Sequence, residues 1–202
     1  YYMKYKDQLV PMGRINDGYD ALNDNVDDSY RRGVELSASW KVTGWFTASA
    51  NATFSQNRIE NYVDALKDSP TYGKELSDMT IAYSPDVIAN AFLNFHHRGF
   101  EAVFHTQHVG KQYFTNNEND ALSLDAYCVT NLNLAYTFCT RSARSVRLGL
   151  LINNLFNAEY ESNGYGYSYM DTWSGPAPVR IDEAYYFPQA PLNVLANVTV
   201  KF

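Results

Sequence analysis

Apolar side chains recur at every second position over stretches of roughly ten residues, the pattern of a strand with one face in a hydrophobic phase. The last stretch is the cleanest: Leu192, Val194, Ala196, Val198, Val200 and Phe202 alternate with Asn193, Leu195, Asn197, Thr199 and Lys201. Successive side chains leave a strand on opposite sides, so the first set forms an apolar face and the second a mostly polar one. Val34, Leu36, Ala38, Trp40 and Val42 repeat the pattern, and Phe46, Ala48, Ala50, Ala52 and Phe54 repeat it after a turn at Thr43-Gly44-Trp45. Val87, Ala89, Ala91, Leu93 and Phe95 follow, and the chain turns at Arg98-Gly99 into a less regular return over 100–113. Two more stripes are Cys128, Thr130, Leu132, Leu134, Tyr136 and Phe138, then Val146, Leu148, Leu150 and Ile152. With a partial strand over 1–10, about eight strands are predicted.

The connections alternate in length. Those at 43–45, 97–99 and 140–145 are short, whereas 11–29, 57–85, 116–123 and 154–191 are longer, three of them much longer. Short turns at one end of a meander and long loops at the other are the pattern of a bacterial outer-membrane barrel. A β-sandwich also alternates, but its strands usually run about five or six residues, and these reach the ten or so that a tilted membrane strand needs.

Composition is compatible with that reading. Aromatic residues make up 15% of the 202-residue chain, with 17 Tyr against 3 Trp, and the mean hydropathy is -0.38. Membrane barrels place Tyr and Trp in interfacial belts around a polar lumen. The formal net charge of -6 offers no clustered basic face for nucleic acid. Cys128 and Cys139 fall eleven residues apart in one predicted strand, roughly 35 Å at about 3.3 Å per residue, so they are expected to stay unpaired thiols. No stretch reaches the length of apolar residues a membrane-spanning helix needs. The chain opens at Tyr1 without an initiator, a basic n-region or an apolar h-region, and is expected to be cut from a longer protein.

Three segments resemble motifs of TonB-dependent outer-membrane receptors. Leu151-Ile152-Asn153-Asn154-Leu155-Phe156-Asn157-Ala158-Glu159-Tyr160 resembles the family's penultimate-strand motif. Phe187-Pro188-Gln189-Ala190-Pro191, with the strand closing on Phe202, resembles its final strand, although Pro191 departs from the usual residue. Tyr30-Arg31-Arg32-Gly33-Val34-Glu35-Leu36 resembles a motif that opens a barrel strand. The resemblance implies an all-β, antiparallel transmembrane β-barrel of about 22 strands. Residues 1–202 would supply about the last eight of them. The N-terminal plug and the segment that contacts the TonB complex would be absent from this chain. It also implies an outer-membrane location in a Gram-negative bacterium, a small-molecule nutrient ligand, contact with outer-membrane lipid, and recognition of Phe202 by the barrel-assembly machinery. The ligand would be an iron-siderophore, haem, cobalamin or a glycan, bound at external loops and imported with TonB-derived energy.

Catalytic signatures are missing: no Gly-x-Ser-x-Gly, His-Glu-x-x-His or phosphate-binding glycine loop occurs. No catalytic residue, metal site or cofactor is therefore nominated, and the chain is not expected to be an enzyme. His105 and His108 are separated by an odd number of positions and point to opposite faces, away from a shared metal. Asp17, Asp20, Asp24, Asp27 and Asp28 lack calcium-loop spacing and read as a solvated loop. If a ligand binds within this chain, the expected place is the ring-rich stretch of Tyr165, Tyr167, Tyr169 and Trp173, with Arg180 available to an anion. Two other readings stay open: a complete eight-stranded barrel acting as adhesin or anchor, and a soluble carbohydrate-binding sandwich.

Overall fold

A computed structural model describes residues 1–16, 20–67 and 71–202; Asp17 of the acidic loop lies outside the described residues. In chain order the strands are β1 (Tyr2–Ile15), β2 (Ala21–Lys41), β3 (Phe46–Val63), β4 (Glu75–Thr80), β5 (Val87–His97), β6 (Phe100–Val109) and β7 (Gln112–Tyr113). After a 3-10 turn over Asp120–Leu122 come β8 (Ser123–Leu124), β9 (Tyr127–Phe138), β10 (Ser145–Asn153), β11 (Glu161–Asp171), β12 (Val179–Pro188) and β13 (Asn193–Lys201). The main sheet runs β1-β2-β3-β5-β6-β9-β10-β13, eight antiparallel strands in a meander, with β4 paired beside the end of β3. It is an open sheet whose edges are β1 and β13, the arrangement of a barrel portion rather than a closed barrel.

Register turns the period-two pattern into two chemically distinct walls. Leu36 pairs with Ala52, Ala52 with Ala89, Ala89 with His108 and His108 with Cys128, so these side chains share the face of Trp40 and Leu93. One position along, Asn51 pairs with Asn90 and Asn90 with Gln107 on the other face. There Asn90 donates to Asn51 at 3.1 Å, His105 bonds Asn90 at 3.0 Å, and Arg147 forks onto Glu101 at 2.6 and 2.8 Å. Among the described residues no second layer covers the apolar face: Trp40 is 68% and Val198 66% exposed. A sheet normally buries such a stripe against another layer. Left bare in water it would be an association surface, so the pattern calls for a hydrophobic phase outside the protein.

The short connections lie at one end of the sheet. At the tightest, Arg98 and Gly99 both take positive φ, 46° and 83°, the geometry a two-residue hairpin needs to match strand twist. The other end is more structured than the sequence pattern indicates. Residues 11–29 contain the end of β1 and the start of β2, β3 continues to Val63, and 154–191 holds the β11–β12 hairpin. The extensions of β1 and β2 have polar residues on both faces, so no apolar stripe announces them, yet the ladder pairing continues.

The buried core also sits at this end. Val10, Val26, Ile59, Tyr62 and Ile81 form one cluster, and Phe114, Leu122 and Leu124 a second. Between them Asn116, fully buried, accepts from the Ala82 amide at 2.8 Å and donates to the Pro11 carbonyl at 2.6 Å. Arg58 donates to Glu118 at 2.6 Å, and Glu118 also accepts from the Thr80 hydroxyl. Three connections are thereby pinned to one another and to the wall.

Candidate functional site

The β11–β12 hairpin rises from a staple built by the motif at 151–160. Asn154 takes φ 51° and Asn157 φ 52°, a left-handed conformation that asparagine tolerates better than most residues. The buried Asn154 side chain accepts from the Ala158 amide at 2.8 Å and donates to the carbonyls of Ala158 at 2.9 Å and Ala190 at 3.2 Å. Asn157 accepts from the Leu192 amide at 2.9 Å. One short sequence thus turns the chain out of β10 and fixes where it re-enters β13.

Alternation divides the hairpin into a docked and a free face. Gly164 and Gly166 lie over the second core cluster. A Cβ on Gly164 would come within 2.8 Å of the Phe114 ring, and one on Gly166 within 2.9 Å of Leu122. Gly166→Leu is therefore expected to lift the hairpin off 110–126, read as increased amide exchange in both segments with the β9–β10 ladder unchanged. Unchanged exchange in the hairpin would contradict this docking. On the same side Ser168 donates to Asp182 at 2.6 Å, and Arg180 reaches Asp182 at 2.9 Å and Ser168 at 3.0 Å. Burial pushes the Asp182 carboxyl up, but these bonds outweigh it and hold the group below its ordinary range.

The free face carries the rings. Tyr165 stacks on Tyr185 with centroids 5.0 Å apart, and Tyr167 on Tyr185 at 6.3 Å. Glu183 lies opposite Tyr167 in register and gathers three phenols: Tyr167 donates at 2.7 Å, Tyr185 at 2.9 Å and Tyr169 at 3.0 Å. Of the residues expected from sequence, Tyr165, Tyr167 and Tyr169 are brought together here, on a strand rather than a loop. Trp173 stands in the hairpin tip, 94% exposed, and Arg180 lies on the opposite face, paired with Asp182. Glu183 and Tyr185 escaped the sequence reading, although the alternation of Glu183, Tyr185 and Phe187 mirrors the tyrosine row. Phe202 ends the chain at the short-turn end, 93% exposed.

Hydrogen bonds from Tyr167, Tyr185 and Tyr169 hold the Glu183 carboxyl below its ordinary range. An unfolded glutamate titrates near about 4.3, so this stabilisation is complete above that value and is lost as pH falls through the lower, folded one. Acidification through that range is expected to loosen the ring face and diminish its near-ultraviolet circular dichroism. Glu183→Gln removes that transition; a wild-type signal that ignores acid would contradict the arrangement.

A separate hollow of about 540 Å³ lies on the apolar wall over Leu36, Ala38, Ala50, Ala52, Ala89 and Ala91. It is a dip left by small side chains in facing registers, with Thr106 and His108 at its edge. Ligand sites combine a concavity with converging polar groups. The convergence is on the hairpin, which makes that face the better candidate.

The family model described as "TonB dependent receptor-like, beta-barrel" matches residues 1–155. Among solved structures, BauA, the ferric preacinetobactin receptor from Acinetobacter baumannii, superposes on 100% of this chain with a TM-score of 0.64 and 13% identity. The ferric yersiniabactin uptake receptor FyuA from Yersinia pestis also covers 100% of it, with a TM-score of 0.62 and 17% identity. The ferric-catecholate import receptor Fiu from K12 E. coli covers 98%, at 0.62 and 16%. The chain spans 26%, 26% and 24% of these receptors respectively. At such identities the likeness is one of fold. No curated protein sequence matches the chain. The two-faced meander, its short-turn and long-loop ends and the family match over residues 1–155 lead to one conclusion: the chain belongs to the TonB-dependent receptor β-barrel family.

Proposed function

We propose that this chain is the C-terminal barrel portion of an outer-membrane receptor-transporter that captures a scarce nutrient at its long-loop end and imports it with TonB-derived energy. The observation that carries the proposal is the pairing of a receptor-family barrel wall with an aromatic hairpin packed against its long-loop end. A preorganised face loses little conformational freedom when ligand arrives. Solved neighbours described as receptors for ferric yersiniabactin, ferric catecholates and ferric preacinetobactin favour an iron chelate over haem, cobalamin or a glycan. In this reading the plug and the TonB-contacting segment belong to a stretch of the full-length protein outside residues 1–202.

The apolar wall meets outer-membrane lipid and the Asn-rich wall faces the lumen, matching the lipid-out, polar-in alternation of such barrels. Function here is passage and capture rather than catalysis. The test is uptake of a panel of ferric chelates by cells producing the full-length gene product, with and without TonB. Uptake that requires both supports the proposal; a product that reaches the outer membrane yet gives no TonB-dependent uptake of any tested nutrient overturns it.

Phe202 supplies the terminal aromatic of the assembly signal. Deleting it is expected to lower the amount of folded barrel in the outer membrane several-fold, measured by heat-modifiable migration, without changing synthesis. Normal assembly of the truncated chain would remove that role.

A further inference from the structure

We propose that the outward face of the wall holds one lipid with a phosphorylated headgroup, its phosphate on the Arg32 guanidinium and an acyl chain along the alanine-floored hollow beside it. Bulk lipid wets a barrel wall without selection, whereas this site selects a headgroup and fixes its place. The inference rests on the reading that the apolar wall meets membrane lipid, and it is independent of which nutrient is imported.

Register draws the boundary at which such a headgroup lies. Outward positions of β2 change from Tyr30 and Arg32 to Val34 and Leu36, and those of β3 from Arg58 and Gln56 to Phe54 and Ala52. Tyr2 pairs with Arg32 and Arg32 with Gln56, so the polar side of the boundary opens on a single row across three strands. A hollow of about 660 Å³ lies on this row, with Tyr2, Arg32 and Gln56 on its polar side and Val34, Phe54 and Val87 on its apolar side. The dip of about 540 Å³ starts at Leu36, Ala52 and Ala89, one outward position further along the same strands. The two hollows thus lie end to end, cationic at one end and apolar along the rest. The dip alone lacks converging polar groups; the adjoining hollow supplies them.

The cation is oriented and uncompensated. Arg32 directs Nε and Nη2 to the neutral Gln56 Oε1 at 2.8 and 2.6 Å. The Tyr30 ring lies 5.2 Å from the guanidinium carbon, and Tyr2 stacks on Tyr30 at 6.3 Å, rings of the kind that gather at a membrane interface. Neighbouring cations are already neutralised: Lys4 by Glu60 at 3.1 Å and Asp28 at 3.5 Å, Arg58 by Glu118 at 2.6 Å and Asp86 at 4.0 Å. Among the described residues no carboxylate pairs with Arg32 in this way. A guanidinium at the edge of a hydrophobic phase is matched by a phosphate, whose oxygens accept its fork of donors. The chain attached to that phosphate then covers Val34, Phe54 and Leu36, which are otherwise bare.

The experiment is native mass spectrometry of the detergent-purified full-length gene product titrated with dimyristoyl phosphatidic acid, and with dimyristoylglycerol as the same chains without the phosphate. The expected result is one phosphatidic acid retained per barrel, about tenfold more tightly than dimyristoylglycerol. R32Q removes the charge and should lose that preference while heat-modifiable migration stays that of wild type. A50L/A91L fills the trough at two positions paired in register and should weaken retention with Arg32 intact. Excess inorganic phosphate should leave the lipid bound. Equal retention of the two lipids, wild-type retention by either variant, or displacement by inorganic phosphate overturns the site. Equal retention by a barrel whose apolar stripe is still quenched from within lipid overturns the site and leaves the wall in the membrane. Selective retention without TonB-dependent uptake supports the site and refutes the transport reading alone.

Discussion

Asn154→Ala is expected to destabilise the full-length barrel by about 3 kcal/mol, roughly a hundredfold shift in the folding equilibrium. The loss has two sources. Truncation strips the Ala158 amide and the Ala158 and Ala190 carbonyls of their partner at a position 3% exposed, and each buried polar group left unpaired costs about 1 to 3 kcal/mol before relaxation and water entry. Alanine must also hold φ 51°, a strain of about 1 kcal/mol. Asn154→Gly removes the strain but not the lost bonds, so it should fall between alanine and wild type. Urea unfolding in detergent, followed by heat-modifiable migration, gives the order. Alanine and glycine variants of equal, wild-type stability would show that the staple does not hold β10 to β13.

Excising residues 161–188 and joining Tyr160 to Gln189 is expected to leave the barrel assembled but weaken ligand capture at least tenfold in affinity, which is about 1.4 kcal/mol. The cut is geometrically mild, because the Gln189 amide already donates to the Tyr160 carbonyl at 3.0 Å. The staple at Asn154 and Asn157 lies outside the excised segment and keeps β13 in register with β10. Binding of ferric chelates to whole cells, normalised to folded protein in the outer membrane, measures the effect. Wild-type affinity in the shortened protein would move the capture site away from the hairpin.

The wall was legible from sequence because its physics is local: an apolar phase on one side and a polar one on the other imposes alternation on every strand. Leu192 to Phe202 shows this in its purest form. The long-loop end followed another rule. There β2 runs through Asp24, Asn25, Asp27 and Asp28 with ladder bonds to β1 but no apolar stripe to betray it. The hairpin was hidden differently. Gly164 and Gly166 read as loop residues, and only the approach of Phe114 and Leu122, some fifty residues away, explains why no side chain fits there. The tyrosine row was visible, but the carboxylate that organises it arrives from the partner strand, and register with Glu183 cannot be read without the turn geometry over 172–178. Arg180 shows the same limit from the other side. It was singled out for an anionic ligand, and the structure gives it to Asp182 and Ser168.

The most direct measurement of the central claim, that this sheet is the wall of a membrane barrel, is a cysteine scan along β3 and β5 of the full-length gene product, with Cys128 and Cys139 replaced by serine. Each site, from Ala48 to Ala52 and from Ala89 to Leu93, is labelled with a polarity-sensitive probe in lipid vesicles and challenged with a lipid-confined quencher. Strict alternation is the expected result: Ala48, Ala50, Ala52, Ala89, Ala91 and Leu93 quenched, Ser49, Asn51, Asn90 and Phe92 protected. Uniform accessibility along both strands, or quenching on the asparagine face, would contradict it.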